Sequence, residues 1–126
     1  MFSHMVVGTN NAQAAKIFYD AVLATLGIPE GDYNSERQRT YYRTPTGTFV
    51  VAKPIDGNPA SVGNGSTIGF KCSSPEQAKA FHDVAVENGG TSIEDPPGWR
   101  VNGDNRVYLA YVRDLDGNKL NALFRE

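Results

Sequence analysis

The sequence has very little cysteine, no long apolar run and no cluster of one charge. Its single cysteine, Cys72, excludes an intrachain disulfide and a multi-cysteine metal site, so burial of apolar surface must hold the fold together. No apolar run approaches the roughly 18 residues that a membrane helix requires. The first residues lack the pattern of a secretory or transit signal. We therefore expect a cytoplasmic protein with no membrane partner.

The charge pattern argues against a polyanionic partner. The formal net charge is −2, and Lys and Arg are scattered along the chain without a basic run. Such a sequence offers no electrostatic footprint for nucleic acid or an anionic membrane. A small molecule is the partner that this composition favours. With 126 residues, we expect one domain over residues 1–126.

An internal repeat organises the chain. Shifted by 63 residues, "HMVVGTNNAQAAKIFYDAVLATLG" matches "TIGFKCSSPEQAKAFHDVAVENGG". Further on, "YYRTPTGTFVVA" matches "YVRDLDGNKLNA" at a shift of 70. The two shifts differ by seven, so the second copy holds an insertion. We place it in residues 94–105, a Pro-, Gly- and Asn-rich segment that predicts a long loop.

Each copy predicts the same order of elements, β-α-β-β-β. An alternating strand opens the copy, and a helix with apolar residues at helical spacing follows. Ser74 and Asn11 are the expected N-caps, and Gln77 suits a capping box. Gly27 and Gly90 suit the helix ends. The predicted class is α+β, with module one over about residues 1–56, a linker at 57–65 and module two over about 66–126.

Two segments carry a family resemblance: the opening "MFSHMVVGTNNAQAAKIFYDAVLATLGI" and the closing "YLAYVRDLDGNKLNALF". Together with the paired plan, they resemble the vicinal oxygen chelate superfamily, which includes glyoxalases, bleomycin-resistance proteins and extradiol dioxygenases. The resemblance implies a curved, cup-shaped mixed sheet with helices on its outer face. It also implies a homodimer and a ligand site on the concave face.

The resemblance further implies four inward positions that hold metal ligands where a metal is bound. Here these positions are His4, Val51, Thr67 and Asn121. Only His4 is a ligand type that zinc, nickel, manganese or iron favours. We therefore expect no cofactor and no tightly bound metal. The second histidine, His82, lies in the predicted helix of module two and is expected at the surface.

Other side chains suit an organic ligand. Tyr41 and Arg43 alternate along one strand and Tyr111 and Arg113 along its repeat, so each pair shares a sheet face. They would offer aromatic walls and cations to an aromatic or carboxylated ligand, or serve only the sheet and its turns.

In the insertion, Trp99 and Arg100 suit a lid over the cup. Trp99 would equally suit an anchor for the loop or a dimer contact. Asn121 would present an amide to a ligand or satisfy a strand neighbour.

Several functions remain open at this point. The first is a bleomycin-resistance-like protein that sequesters a small organic molecule without a metal. The alternative is a metal-dependent enzyme, either a lactoylglutathione-lyase-like lyase or isomerase or a dioxygenase. Between them lies a metal-independent enzyme with His4 as base and Arg43 or Arg113 as anion stabiliser. A pure interaction module is favoured only if side chains fill the cup.

Overall fold

The computed structural model describes residues 1–126, apart from the side chain of residue 102. Module one contains five elements: β1 His4–Gly8, α1 Ala12–Ala24, β2 Asp32–Asn34, β3 Arg39–Thr44 and β4 Gly47–Ala52. Module two contains six: β5 Ile68–Lys71, α2 Pro75–Glu87, β6 Thr91–Ser92, β7 Gly98–Asn102, β8 Asn105–Arg113 and β9 Lys119–Arg125.

Each module forms its own mixed sheet. Module one has the strand order β1-β4-β3-β2, and module two has β5-β9-β8-β6 with β7 paired to β8. The opening strand of each module runs parallel to its closing strand, and the remaining pairs are antiparallel. The predicted α+β class and the paired βαβββ plan are confirmed.

The prediction of a long loop over residues 94–105 is wrong. Five residues of this insertion form β7, which makes an antiparallel hairpin with β8 through a turn at Gly103 and Asp104. Gly103 has a φ of +62°, a conformation that glycine adopts at little cost. The segment "WRVNGDNRVY" therefore combines strand-forming residues with a two-residue hairpin turn. The Pro, Gly and Asn residues of the insertion obscured this signal.

Both helices begin where their predicted caps lie. The Asn11 side chain accepts a hydrogen bond from Ala14 N at 3.0 Å, and Ser74 Oγ accepts one from Gln77 N at 3.1 Å. Gln77 Oε1 accepts from Ser73 N, one residue before the cap, and its amide nitrogen donates to Thr25 O at 3.0 Å. The start of α2 is thereby tied to the end of α1.

One hydrophobic core serves both modules. A chain of aromatic contacts crosses it, with ring centroids 5.0 Å apart for Tyr19 and Phe49, 5.3 Å for Phe49 and Phe70, and 5.2 Å for Phe70 and Phe81. These rings come from α1, β4, β5 and α2 in turn. The contact between Phe49 and Phe70 crosses from module one to module two. Each module therefore covers part of the apolar face of the other.

A buried polar network also joins the modules. Asp114 follows β8 and is 5% exposed, and its carboxylate accepts a hydrogen bond from Tyr19 Oη of α1 at 2.5 Å. The same carboxylate accepts from the backbone N–H groups of Asp116 and Asn118. Asn118 Nδ2 in turn donates to Gly8 O at 3.0 Å. Burial, together with the Asp114 carboxylate, raises the pKa of Tyr19 well above its ordinary value, so the phenol stays a donor.

His82 is not a surface residue, contrary to the sequence prediction. It is 8% exposed, with Nε2 2.8 Å from Ser92 Oγ and Nδ1 2.9 Å from Asp83 Oδ1. By the repeat its counterpart is Tyr19, which is 1% exposed. The equivalence of His82 to a residue of the core could therefore have predicted that His82 is buried. Cys72 is buried as predicted, and burial raises the pKa of its thiol.

Candidate functional site

Each sheet has two faces, which we name by what covers them. The helix face packs on α1 or α2, and the open face lies on the opposite side. Residues paired directly across strands share a face, so the register assigns each side chain. The open face of module one includes His4, Val6, Tyr41, Arg43, Thr48 and Val50. The open face of module two includes Gly69, Lys71, Val107, Leu109, Tyr111, Arg113, Lys119, Asn121, Leu123 and Arg125.

Val51 does not lie on the open face, so its predicted place among the ligand positions is wrong. It is 2% exposed in the shared core, and its strand neighbour Val50 takes the open-face position. Thr48 lies opposite Arg43, whereas Lys119 lies opposite Arg113, so the closing strands match at a shift of 71. One extra residue in the second turn reverses every side chain beyond it.

The open-face donor set does not fit a divalent metal. After the correction, the four family positions hold His4, Val50, Thr67 and Asn121, which supply one imidazole, one hydroxyl, one amide and no carboxylate. Neutral oxygen donors do not offset the charge of a divalent ion. His4 Nδ1 also lies 2.7 Å from Ser3 Oγ. Among all described residues, no group of three His, Cys, Asp or Glu side chains is placed to hold a metal ion.

Tyr41 and Arg43 share the open face of module one, as predicted. The Arg43 guanidinium carbon lies 4.6 Å from the Tyr41 ring centroid, and Arg43 Nη1 lies 2.9 Å from Asp32 Oδ2. The cation is therefore already paired, although the pair is exposed. His4, Thr48 and Arg43 form one row across β1, β4 and β3. Two strand spacings, about 10 Å between Cα atoms, separate His4 from Arg43. The Arg43 guanidinium engages Asp32 of β2, on the side of β3 away from His4.

Tyr111 and Arg113 share the open face of module two. Arg113 Nη1 donates to Gly117 O at 2.8 Å, which fixes the guanidinium against the following turn. Lys119 Nζ lies 4.9 Å from the Tyr111 ring centroid and forms an ion pair with Glu94. Thr67, just before β5, lines a cavity of about 430 Å³ together with Arg113 and Lys119. Thr67, Arg113 and Lys119 thus gather at one end of the open face.

Trp99 is an anchor and not a lid. Its ring centroid lies 5.6 Å from that of Tyr108 and 6.1 Å from that of Phe124, both on the helix face. The Arg106 guanidinium carbon lies 3.8 Å from the Trp99 ring centroid. Arg100 falls on the open face, where its Nη2 donates to the carbonyls of residues 95 and 96. The open face therefore has no tryptophan above it.

Asn121 brings an unpartnered acceptor to the open face. Its Oδ1 is buried and accepts no hydrogen bond from any described group. A Cβ atom on Gly69 would lie only 2.9 Å from this oxygen, so the glycine leaves the space that the amide fills. Buried acceptors of this kind are rare, and a donor from a ligand or water would satisfy it.

Sequence reasoning missed two cations beside this asparagine. Lys71 and Arg125 line a cavity of about 490 Å³ whose other residues include Gly69 and Leu123. Both cations are exposed and form no ion pair with the described side chains. The alternation of side chains along each strand could have revealed them. In "TIGFK" Lys71 falls on the same face as Thr67, and in "NALFR" Arg125 falls on the same face as Asn121.

An apolar cleft lies between the modules, on the helix side of module one. Its volume is about 510 Å³, and Met5, Phe49, Ile68 and Phe70 line it. Met5, Phe49, Ile68 and Phe70 project from the faces opposite His4 and Asn121. The cleft reaches the open faces at its edge, where Thr48, Gly69 and Lys71 also line it. Both β1 and β5 pair on one side only within the described chain. Neither helix in the described residues is long and apolar enough to cross a membrane.

Comparison with known proteins agrees with this architecture. The chain belongs to the Glyoxalase/Bleomycin resistance protein/Dioxygenase superfamily, whose sequence model matches residues 1–122. It is similar to a glyoxalase/bleomycin resistance protein from Albidiferax ferrireducens T118, with 54% identity over 99% of both chains and a TM-score of 0.94.

More distant structures share the fold. A glyoxalase-related enzyme from Fulvimarina pelagi has 14% identity and a TM-score of 0.73, over 99% of this chain and 88% of that one. A glyoxalase/bleomycin resistance protein/dioxygenase family enzyme from Burkholderia phytofirmans PsJN has 14% identity and a TM-score of 0.70, over 98% of both chains. No curated protein matches the chain.

Proposed function

We propose that this protein binds a small organic molecule on its open faces and does so without a metal ion. The observation that carries the proposal is the donor set of His4, Val50, Thr67 and Asn121 at the family's ligand positions. Apolar and aromatic side chains surround these residues, and the polar groups between them suit orientation of a ligand. Binding alone, as in bleomycin-resistance proteins, requires no more than this.

The test is metal content. Purified protein is supplied with Zn²⁺, Mn²⁺, Fe²⁺ and Ni²⁺ under reducing conditions, dialysed and analysed for metal. We expect retention far below one ion per chain, equal in the wild type and in His4→Ala. Near-stoichiometric metal that disappears in His4→Ala would contradict the proposal and would favour the glyoxalase-like or dioxygenase activity instead.

A matched variant shows that the assay detects a site. Thr67→His, Val50→Glu and Asn121→Glu together add an imidazole and two carboxylates at the other three family positions. We expect this variant to retain metal if these positions converge. The wild type and the variant differ only at these open-face positions, so any difference in retained metal is due to the donor atoms at these positions.

We also propose a cytoplasmic homodimer. The unpaired edges of β1 and β5 are templates for another strand, and exposed apolar residues lie beside them, including Phe2 at 67% and Val6 at 51% exposure. Pairing of β1 with the partner's β5 would place the open face of module one beside the open face of the partner's module two in one continuous sheet. The single buried cysteine suits the reducing cytoplasm.

Light scattering during gel filtration tests the dimer. We expect Val6→Lys to shift the protein toward monomer, whereas Ile55→Lys, at a position that is 90% exposed in the segment after β4, leaves the dimer intact. A wild type that elutes as a monomer at high concentration would contradict this assembly.

A further inference from the structure

We propose that Lys71 and Arg125 form an anion subsite on the open face of module two, and that the ligand is an aromatic or apolar carboxylate. The inference rests on the proposed binding function and names the chemical class of the ligand. Neither residue belongs to the four family positions considered above.

The first support is charge. The open-face positions of β5, β8 and β9 hold four cations, Lys71, Arg113, Lys119 and Arg125, and no Asp or Glu. The whole chain has a formal net charge of −2, so this concentration of positive charge is local. A surface of one sign raises the local concentration of ligands of the opposite sign.

The second support is availability. On this face, Lys119 pairs with Glu94, and Arg113 is fixed by the carbonyl of Gly117. Lys71 and Arg125 have no ion-pair or hydrogen-bond partner among the described side chains. Glu126 also lines their cavity, but its carboxylate lies 3.2 Å from Arg106 Nη1. Lys71 and Arg125 are therefore free to engage an anion from solution.

The third support is position. Lys71 pairs with Leu123, and Arg125 is two residues further along the same strand as Leu123. Strand spacing and rise put the two Cα atoms about 8 Å apart, within reach of one carboxylate for two long side chains. Arg can hold the carboxylate with two parallel N–H donors, while Lys adds a compact charge.

An apolar floor lies beside the two cations. Leu123 pairs with Leu109, and Arg125 pairs with Val107, so these apolar side chains form a continuous patch on the open face. Tyr111 and Asn121 form the next row. A ligand with an aromatic body on Leu109 and Leu123 would direct its carboxylate to Lys71 and Arg125, and a donor group to the free Asn121 oxygen.

The experiment compares two probes that differ in one charge. Naphthalene-1-acetate and the uncharged naphthalene-1-acetamide are titrated into the isotopically labelled wild-type protein, and amide NMR shifts give affinity and location. We expect the acid to bind at least about tenfold more tightly than the amide. Its shifts should centre on Leu109, Leu123 and Arg125, which do not line the apolar cleft. Added salt should weaken binding of the acid alone.

Variants test the two residues directly. Lys71→Gln with Arg125→Gln should remove the preference for the acid, while Lys71→Arg with Arg125→Lys should keep most of it. Arg37→Gln with Lys53→Gln removes the same charge from two other exposed positions and should leave the preference unchanged. Gel filtration of each variant confirms an unchanged assembly.

The outcomes separate this inference from the proposed function. Equal affinity for acid and amide, with shifts on the open face, would overturn the anion subsite and leave the apolar binding site standing. Shifts confined to the apolar cleft, at Met5 and Phe49 without Leu123 or Arg125, would overturn both. Binding of neither probe would also overturn both, because the open face would then hold no site for a small aromatic molecule.

Discussion

The hydrogen bond between Tyr19 and Asp114 gives a sharp prediction about how the modules hold together. Tyr19→Phe keeps the buried ring and removes only the hydroxyl that donates to Asp114 at 2.5 Å. Asp114 then keeps its donors from Asp116 and Asn118. A hydrogen bond to a charged group contributes about 1.5–3 kcal/mol, so we expect a loss of about 2 kcal/mol in the free energy of unfolding.

Thermal unfolding followed by circular dichroism measures this loss. For a chain of this length we expect the Tm to fall by about 8 °C, in a single transition because the core is shared. Tyr33→Phe is the matched control, since the Tyr33 hydroxyl has no hydrogen-bond partner among the described groups. An equal shift in both variants would refute the role of this bond. So would a wild type that unfolds in two separate steps.

Three further predictions concern acid stability, the insertion and the open face. Hydrogen bonds from Lys16, Gly31 and Tyr42 outweigh burial and lower the pKa of Asp20. The ionised Asp20 therefore stabilises the fold above its unfolded pKa of about 3.9, and this stabilisation is lost as the pH falls through the lower folded pKa. The difference in unfolding free energy between the wild type and Asp20→Asn, measured by urea unfolding, should narrow below about pH 4. A difference that stays constant with pH would contradict this. Trp99→Ala should cost about 2 kcal/mol of stability, less than the loss of a fully buried Trp, because Trp99 is only partly buried. It should leave the affinity for naphthalene-1-acetate unchanged. A weaker affinity with unchanged stability would instead indicate a lid. Asn121→Leu should raise the free energy of unfolding by about 1 kcal/mol, because it removes an unpartnered buried acceptor. The same variant should bind the ligand more weakly. A large destabilisation would mean that the amide hydrogen-bonds a structural group.

The repeat predicted most of the fold because local signals specify each module. The caps at Asn11 and Ser74 and the alternating strands lie within short windows, and their pattern is independent of distant contacts. The order of elements in module two follows from that in module one. The same reasoning failed in the insertion, where glycine served a hairpin turn at Gly103 and not an irregular loop.

The candidate site was harder to predict because a sheet face depends on single-residue register. A shift of 70 matched the letters of both closing strands, but the extra residue in the second turn moved Val51 into the core and Val50 to the open face. No local signal marks that residue. The cations Lys71 and Arg125 were missed for a different reason: each ends a strand whose other residues drew attention, and only the pairing of Lys71 with Leu123 brings the two cations together.

Which residues of one module pack on the other also lay beyond sequence reasoning. The Tyr19–Asp114 bond spans 95 residues, and the contact between Phe49 and Phe70 joins different modules. Such contacts have no sequence period, so the repeat predicted two modules without predicting that their helix faces share one core. The sequence also did not predict that β1 and β5 would form the unpaired edges of the two sheets; this followed only from the structure.

Metal dependence of ligand binding tests the central claim most directly. The affinity of the wild type for naphthalene-1-acetate is measured by calorimetry in the presence of a chelator, and again with added Zn²⁺, Mn²⁺ or Ni²⁺. We predict the same affinity in all cases, in His4→Ala as in the wild type, with the same shifted amides on the open face of module two. Binding that requires one of these metals and disappears in His4→Ala would contradict the account and would establish a metal-dependent site.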